Sequence, residues 1–377
     1  MNILLKAYTK VNLGDDLFLK MIIERYPNTN FILRAPNKYK KIFKNSSNVM
    51  ILDSFFVKNN KLFYRIYNYI LRSFFSNFYK RHIVDNIIKT EEELFKKTDA
   101  FVSIGGSIFM QNQLLPAYYD IEYYKIVEKY FDKTFYLGCN FGPFLTLDFL
   151  NSYKRIFADA TDVCFREKKS WELFAEIENV RYSTDIVFGL KVQNKPKEIN
   201  SVGFSIVGSS KLCDSIDYED SYVKIIEFYQ KEGYEIYLFS FCEAEGDEVT
   251  INKIFEKLNT KVRVNLVFYN GDMEVFLDVY SKVEKVFCGR FHSMILSMLL
   301  NQKIYPIAYS DKMINILSDI NYQGEFIEVQ KLNKIEIEKV YDQIDKNKYD
   351  IDQIKDKAND QFKILDLFIN GSKINNI

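Results

Sequence analysis

The sequence predicts an α/β protein made of two doubly wound, Rossmann-like domains that face a cleft. Three observations point there. Short apolar segments of strand length alternate with longer segments of helical period, the pattern of parallel sheets built from βαβ units. The alternation runs through the first half, stops at a polar stretch and starts again. The 377 residues also exceed one ordinary core and suit two domains of roughly 150–200 residues each.

Taken in order, the first domain, 1–190, offers strands at Ile3–Ala7, Phe31–Arg34, Met50–Leu52, Ala100–Ile104, Thr134–Leu137, Val163–Phe165 and Val180–Tyr182. Helical patterns lie between them, such as Asp16–Arg25, Tyr118–Tyr130 and Lys168–Ile177. The stretch 191–200 is polar, carries Pro196 and lacks periodicity, so it reads as a linker. The second domain, 201–331, restarts with strands Val202–Val207, Glu235–Phe239, Val264–Phe268, Lys285–Cys288 and Lys303–Ala308. Its helices fall near Tyr218–Lys231, Glu248–Leu258, Met273–Ser281, Ser293–Leu300 and Lys312–Asp319. The segment 332–377 is mostly charged and helical and is expected to brace the first domain. Ligands of such sheets sit at the carboxyl ends of the strands.

The most informative loop there is Cys288-Gly289-Arg290-Phe291-His292-Ser293. An apolar strand ends in glycine and turns into a helix, whose N-terminus stabilises an anion. Arg290 adds a planar fork matched to carboxylate or phosphate. His292, one of only two histidines, adds a group that moves protons near neutral pH. Four weaker elements accompany it. Asn12-Leu13-Gly14-Asp15-Asp16 follows the first strand, its glycine allowing close backbone approach and Asp15 or Asp16 suited to cap the helix. Gly105-Gly106 and the Gly138–Pro143 stretch with Asn140 are further strand-to-helix turns. Arg166 stands where its strand stops, followed by Glu167 and Ser170, and Asp185 closes the next strand. Each of these four also fits plain turn geometry, a helix cap or a solvated ion pair.

Composition removes other classes. Lys and Arg total 51 against 51 Asp and Glu, so no global basic field exists to hold nucleic acid. The five cysteines are scattered without a C-x-x-C pair, which suits reduced thiols in a cytosolic protein. The chain opens directly as a strand, and no apolar run reaches the ~20 residues of a membrane span. The expectation is a soluble, cytoplasmic protein. Phe55 to His82 holds Phe63, Ile66, Tyr67, Ile70, Leu71, Phe74, Phe75 and Phe78 at helical spacing, with Arg65, Arg72 and Lys80 opposite and no acid. That segment reads two ways: a helix packed on its own sheet or on a twin subunit, or a peripheral contact with the anionic inner face of a membrane.

Together these pieces resemble the polysaccharide pyruvyl transferase family. The matching elements are Asn12–Asp16, Gly105-Gly106, Asn140-Phe141-Gly142-Pro143, Phe165-Arg166-Glu167 with Ser170, Asp185, and Gly289-Arg290-Phe291-His292-Ser293. They stand in the family's order over about residues 1–320. Two positions depart: Ser107 stands where a third glycine is usual, and Ile186-Val187 where Pro-Ala is common. The resemblance implies a GT-B-like fold, with the acceptor on the first domain and the donor on the second. It implies transfer of a pyruvyl group from phosphoenolpyruvate to a sugar or lipid-linked glycan of the cell envelope, closing a cyclic ketal without metal or cofactor. It assigns Arg166 and Arg290 to the donor's carboxylate and phosphate and His292 to catalysis. Asn12, Asp15, Gly105, Gly106, Asn140 and Ser293 are the expected substrate-binding companions. Two rivals share these features: a nucleotide-sugar glycosyltransferase of the same architecture, and a non-catalytic glycan-binding homologue.

Overall fold

The computed structural model describes residues 1–53, 76–111, 117–209, 212 and 217–371. Among them two parallel sheets form. The first joins β1 (Asn2–Lys6), β2 (Asn30–Arg34), β3 (Val49–Leu52), β4 (Ala100–Ile104), β5 (Thr134–Cys139), β6 (Asp162–Phe165) and β7 (Val180–Tyr182) in the order β3-β2-β1-β4-β5-β6-β7. The second joins β8 (Glu198–Ser205), β9 (Glu235–Ser240), β10 (Val264–Phe268), β11 (Val283–Cys288), β12 (Lys303–Ala308) and β13 (Ile327–Glu328) in the order β10-β9-β8-β11-β12-β13. β4, β5 and β6 are buried at every position. Their apolar runs are therefore continuous rather than alternating, as helix-covered parallel strands require. Strand order reverses between β1 and β4 in the first sheet and between β8 and β11 in the second. These are the two topological switch points.

The chain divides into two compact units, neither of them contiguous. The first comprises Met1–Tyr8, Ile22–Asp185 and Asn359–Ile377; the second comprises Thr9–Met21 and Ile186–Ala358. This partition differs from a cut at 190. The loop after β1 belongs to the second unit because Leu13 N–H bonds to the Phe241 carbonyl at 3.1 Å and Tyr269 donates to Asp16 at 2.8 Å. The expected linker is also shorter, since β8 begins at Glu198. The C-terminal segment is divided. Leu332, Val340 and Ile344 join the second core, whereas Gln361 and Asp366 bond within the first unit to Gly138 and Arg25.

The aromatic richness of the chain goes largely into the cores. Phe157 alone meets Tyr136, Phe165 and Phe174 edge to face at 5.4, 5.8 and 5.1 Å, pairs worth about 0.5–1.5 kcal/mol each beyond area burial. The amphipathic segment read at 55–82 lies outside the described residues until helix Ser76–Phe95 begins. No helix among the described residues is long and apolar enough to cross a membrane. Cys139, Cys164, Cys242 and Cys288 are buried free thiols, and Cys213 lies outside the described residues.

Candidate active site

In the second unit the motif residues converge at the carboxyl ends of β8, β9 and β11. Arg290 follows β11 in extended conformation and holds the cap position of helix Phe291–Leu299. Its side chain bonds no first-turn N–H; it turns instead to acids. Nε donates to Asp247 Oδ2 at 3.0 Å, Nη2 to Asp247 Oδ1 and Nη1 to Glu245 Oε2. The bidentate fork on Asp247 is the strong form of this bond. Burial opposes the guanidinium charge, but Asp247 and Glu245 outweigh it and raise its pKa above the ordinary arginine value. Asp247 gathers the surrounding loops as well. It accepts from Gly208 N–H at 3.0 Å and from Phe241 and Cys242 N–H at 3.1 and 3.0 Å. Ser205 Oγ takes the N–H groups of Gly289 and Arg290 at 2.9 and 3.2 Å. A Cβ on Gly289 would overlap the Ser205 carbonyl, so this tight turn requires glycine.

His292 sits in the first helical turn, half-buried. Phe18 and Phe291 hold its ring edge-on at 5.2 and 5.1 Å. A Cβ on Gly14 would overlap the His292 ring. The glycine of the Asn12–Asp16 loop is therefore the seat of the histidine, although the two lie far apart in sequence. Asn12 makes that seat by accepting from Gly14 N–H at 3.0 Å through Oδ1. Helix Leu13–Arg25 thus starts earlier than expected, and Asn12, rather than Asp15 or Asp16, caps it. Asp15 is half-buried in the first turn, and Asp16 is buried against Tyr269. Ser293 is fully buried, its Oγ bonded to Tyr280 at 2.8 Å. The expected substrate contact from Ser293 is thus a side chain turned into the core, where a helix residue one position after His292 faces a different side.

Two further groups, Tyr309 and Lys312, lie close to the motif without having been singled out in the sequence. Lys312, in the first turn of helix Asp311–Asp319, lies 5.5 Å from the Phe291 ring centre and 5.2 Å from that of Tyr309. Burial pushes the Tyr309 phenol up, but Lys312 and Arg290 prevail and leave its pKa below the usual tyrosine value. Glu245 and Asp247 were also missed, because acids in a loop read as solvated. Their position just past the carboxyl end of β9 is the signal that would have found them.

The first unit repeats the device at the end of β6. Arg166, 2 % exposed, donates to Asp185 Oδ2 at 2.9 Å and to Asn140 Oδ1 at 2.7 Å. Ser107, in place of the missing glycine, donates to the same Asn140 oxygen at 3.0 Å. A Cβ on Gly106 would lie 2.6 Å from the Arg166 guanidinium, so the double-glycine turn lets the arginine lie flat on the backbone. Gly105, at φ 148°, supplies the matching backbone bend. Glu167 and Ser170 point elsewhere: Ser170 Oγ donates to Glu167 at 2.6 Å and accepts from Phe141 N–H at 2.9 Å.

A family model described as polysaccharide pyruvyl transferase matches residues 12–312. No curated protein matches the sequence. Among solved structures, UDP-GlcNAc 2-epimerase from Methanocaldococcus jannaschii is similar with a TM-score of 0.60 at 11% identity, covering 98% of this chain and 99% of that one. The Neisseria meningitidis UDP-GlcNAc 2-epimerase gives 0.58 at 8%, covering 98% and 100%. Anabaena Alr3699/HepE, solved with UDP and glucose, gives 0.53 at 12%, covering 98% of each. Trehalose-6-phosphate synthase OtsA gives 0.52 at 8%, again covering 98% of each. At such identities the likeness establishes the fold, the GT-B architecture of two parallel-sheet α/β units.

Proposed function

The chain belongs to the polysaccharide pyruvyl transferase family, and from that premise we propose that it moves the pyruvyl group of phosphoenolpyruvate onto two hydroxyls of a glycan, closing a cyclic ketal. One observation carries the reading: the His292 ring, half-buried at a helix opening, is seated on Gly14 with Arg290 at the cap position beside it. An anion is favoured at that opening by the helix dipole and by Lys312 nearby. Phosphoenolpyruvate brings carboxylate and phosphate on a small skeleton, which suits Arg290 and Arg166 as its recognition groups. Both arginines are held rigidly by carboxylates before any ligand arrives, so little side-chain entropy is lost on binding.

In the proposed sequence the His292 imidazolium gives its proton to the methylene carbon, and C2 becomes electrophilic. A sugar hydroxyl adds its oxygen to C2 and releases its proton. The neutral imidazole, having just given one up, takes it. A second hydroxyl then attacks C2, the C2–O bond to phosphate breaks, and that hydroxyl's proton leaves with inorganic phosphate. The balance is one phosphoenolpyruvate and two hydroxyls in, one ketal and one phosphate out.

The structural relatives bound to UDP or UDP-GlcNAc sustain the rival of a nucleotide-sugar enzyme, and one screen separates the two. Ligand at ~100 times its dissociation constant adds about 2.7 kcal/mol to stability. Phosphoenolpyruvate should raise the melting temperature while UDP-GlcNAc and UDP-glucose leave it unchanged. The opposite pattern would overturn the donor assignment.

A further inference from the structure

The switch point of the second unit carries Arg290; that of the first, between β1 and β4, carries a different constellation outside the motifs discussed so far. Lys6 ends β1, and its ammonium lies 4.3 Å from the ring centres of both Tyr123 and Tyr124. It also pairs with Asp120 at 3.0 Å. Tyr124 is fixed from behind by Ser103 of β4 at 3.1 Å. Burial works against the Lys6 charge, yet Tyr124, Asp120 and Tyr123 raise its pKa above the ordinary lysine value. Next along the same sheet edge, Arg34 at the end of β2 pairs with buried Glu91 at 2.7 Å. Tyr119 stacks on Tyr123 with ring centres 6.4 Å apart and planes 20° from parallel, and it remains 39% exposed. A flat aromatic face backed by a second ring is thus presented beside a lysine and a half-exposed carboxylate, at the place where open α/β sheets receive ligands.

We infer that this cluster is a carbohydrate subsite, with Tyr119 as the platform for one pyranose ring and Lys6 and Asp120 as partners for its hydroxyls. A sugar ring offers a face of C–H groups to an aromatic ring and a rim of hydroxyls that both donate and accept. A cation and an anion side by side serve that rim without attracting a net charge. A phosphate or carboxylate ligand fits worse, because Asp120 and Glu91 offset Lys6 and Arg34. β1 and β6 stand three strand spacings apart, about 14 Å at ~4.8 Å per step, which is more than one pyranose ring spans. Resting on the proposed role of Arg166 in holding the donor, the glycan acceptor therefore extends over at least two sugars, and Tyr119 reads a neighbour of the modified one.

Saturation-transfer NMR on the full chain with cellobiose, lactose, maltose and diacetylchitobiose, each beside its monosaccharide, tests this. At least one disaccharide should bind, and Tyr119→Ala should weaken it about tenfold, the effect of uncovering part of a ring face. Tyr119→Trp should retain binding, and unchanged melting of both variants verifies the fold. Binding by none of the four, or equal binding by wild type and Tyr119→Ala, overturns the subsite. Phosphoenolpyruvate is titrated separately. A protein that binds disaccharide through Tyr119 yet ignores phosphoenolpyruvate keeps the subsite and loses the transferase reading; the reverse result does the opposite.

Discussion

Arg166 and Arg290 occupy the same kind of position, the turn at the carboxyl end of a parallel strand, and are supported differently. Arg166 faces one carboxylate and one amide oxygen. Arg290 faces two carboxylates, and three of its N–H groups are committed to them. The first is a buried ion pair, 2% and 0% exposed. The second joins one guanidinium to two carboxylates, at a switch point and beside the histidine. The difference teaches that two arginines of similar appearance in sequence do unequal work. Arg166 is fixed in place by Asp185 and Asn140, whereas Arg290 also ties together the loops after β8, β9 and β11 through Asp247.

The comparison is broken most forcefully by deletion of each arginine. Removing one partner of a buried pair leaves an uncompensated charge and costs about 3–5 kcal/mol. Arg290→Ala strands Glu245 and Asp247 and should sit at the upper end of that range by urea unfolding; Arg166→Ala strands Asp185 and should cost less. Equal losses would mean that the second carboxylate carries no weight. Because Arg290→Ala threatens the fold, donor affinity is better read in Arg290→Lys, which keeps the charge but not the fork.

The two glycine seats give a smaller and more selective contrast. Overpacking a tight site costs about 1–3 kcal/mol. Gly14 is helical, so alanine there also regains about 1 kcal/mol of helix propensity, and the net loss of stability for Gly14→Ala should be the milder. Its effect on chemistry should be the greater, since the new methyl displaces the His292 ring. Gly106→Ala should instead weaken phosphoenolpyruvate binding by moving Arg166. Calorimetry beside single-turnover transfer separates the two, and a swap of these outcomes would reverse the assigned roles.

The smallest effect concerns Tyr309. A neighbouring cation favours the phenolate, so this tyrosine should ionise at lower pH than an ordinary one near 10. Lys312→Met removes that cation and should move the step to higher pH in an ultraviolet difference titration against Tyr309→Phe. No displacement would show that Lys312 does not act on the site.

Much of this was legible in the sequence. The parallel sheets followed from short apolar strands alternating with longer helical segments, and β4, β10 and β12 occupy the spans read for them. The turn from β11 into the helix bearing His292 was legible because glycine, arginine and histidine at a strand end have few purely structural uses. The contact between Gly14 and His292 was not, since nothing local links residues so far apart. Nor was the assignment of Thr9–Met21 to the second unit, because a loop that follows the first strand reads as part of the first domain. The helix Lys168–Glu172 stops short of the expected Ile177; Leu173 to Ile177 continues only as turns that pack Phe174 into the core. β13 is two residues long, too short for any periodicity to announce it.

The most direct test of the account is His292→Gln, with phosphoenolpyruvate binding and single-turnover pyruvyl transfer measured on the same folded protein. If His292 is the proton donor at the centre built around Arg290 and Gly14, affinity should stay within a few-fold of wild type. Turnover should fall by about 10²–10⁴-fold, the contribution of a positioned general acid. Turnover within about threefold of wild type, or a fall that merely follows lost affinity, would contradict it.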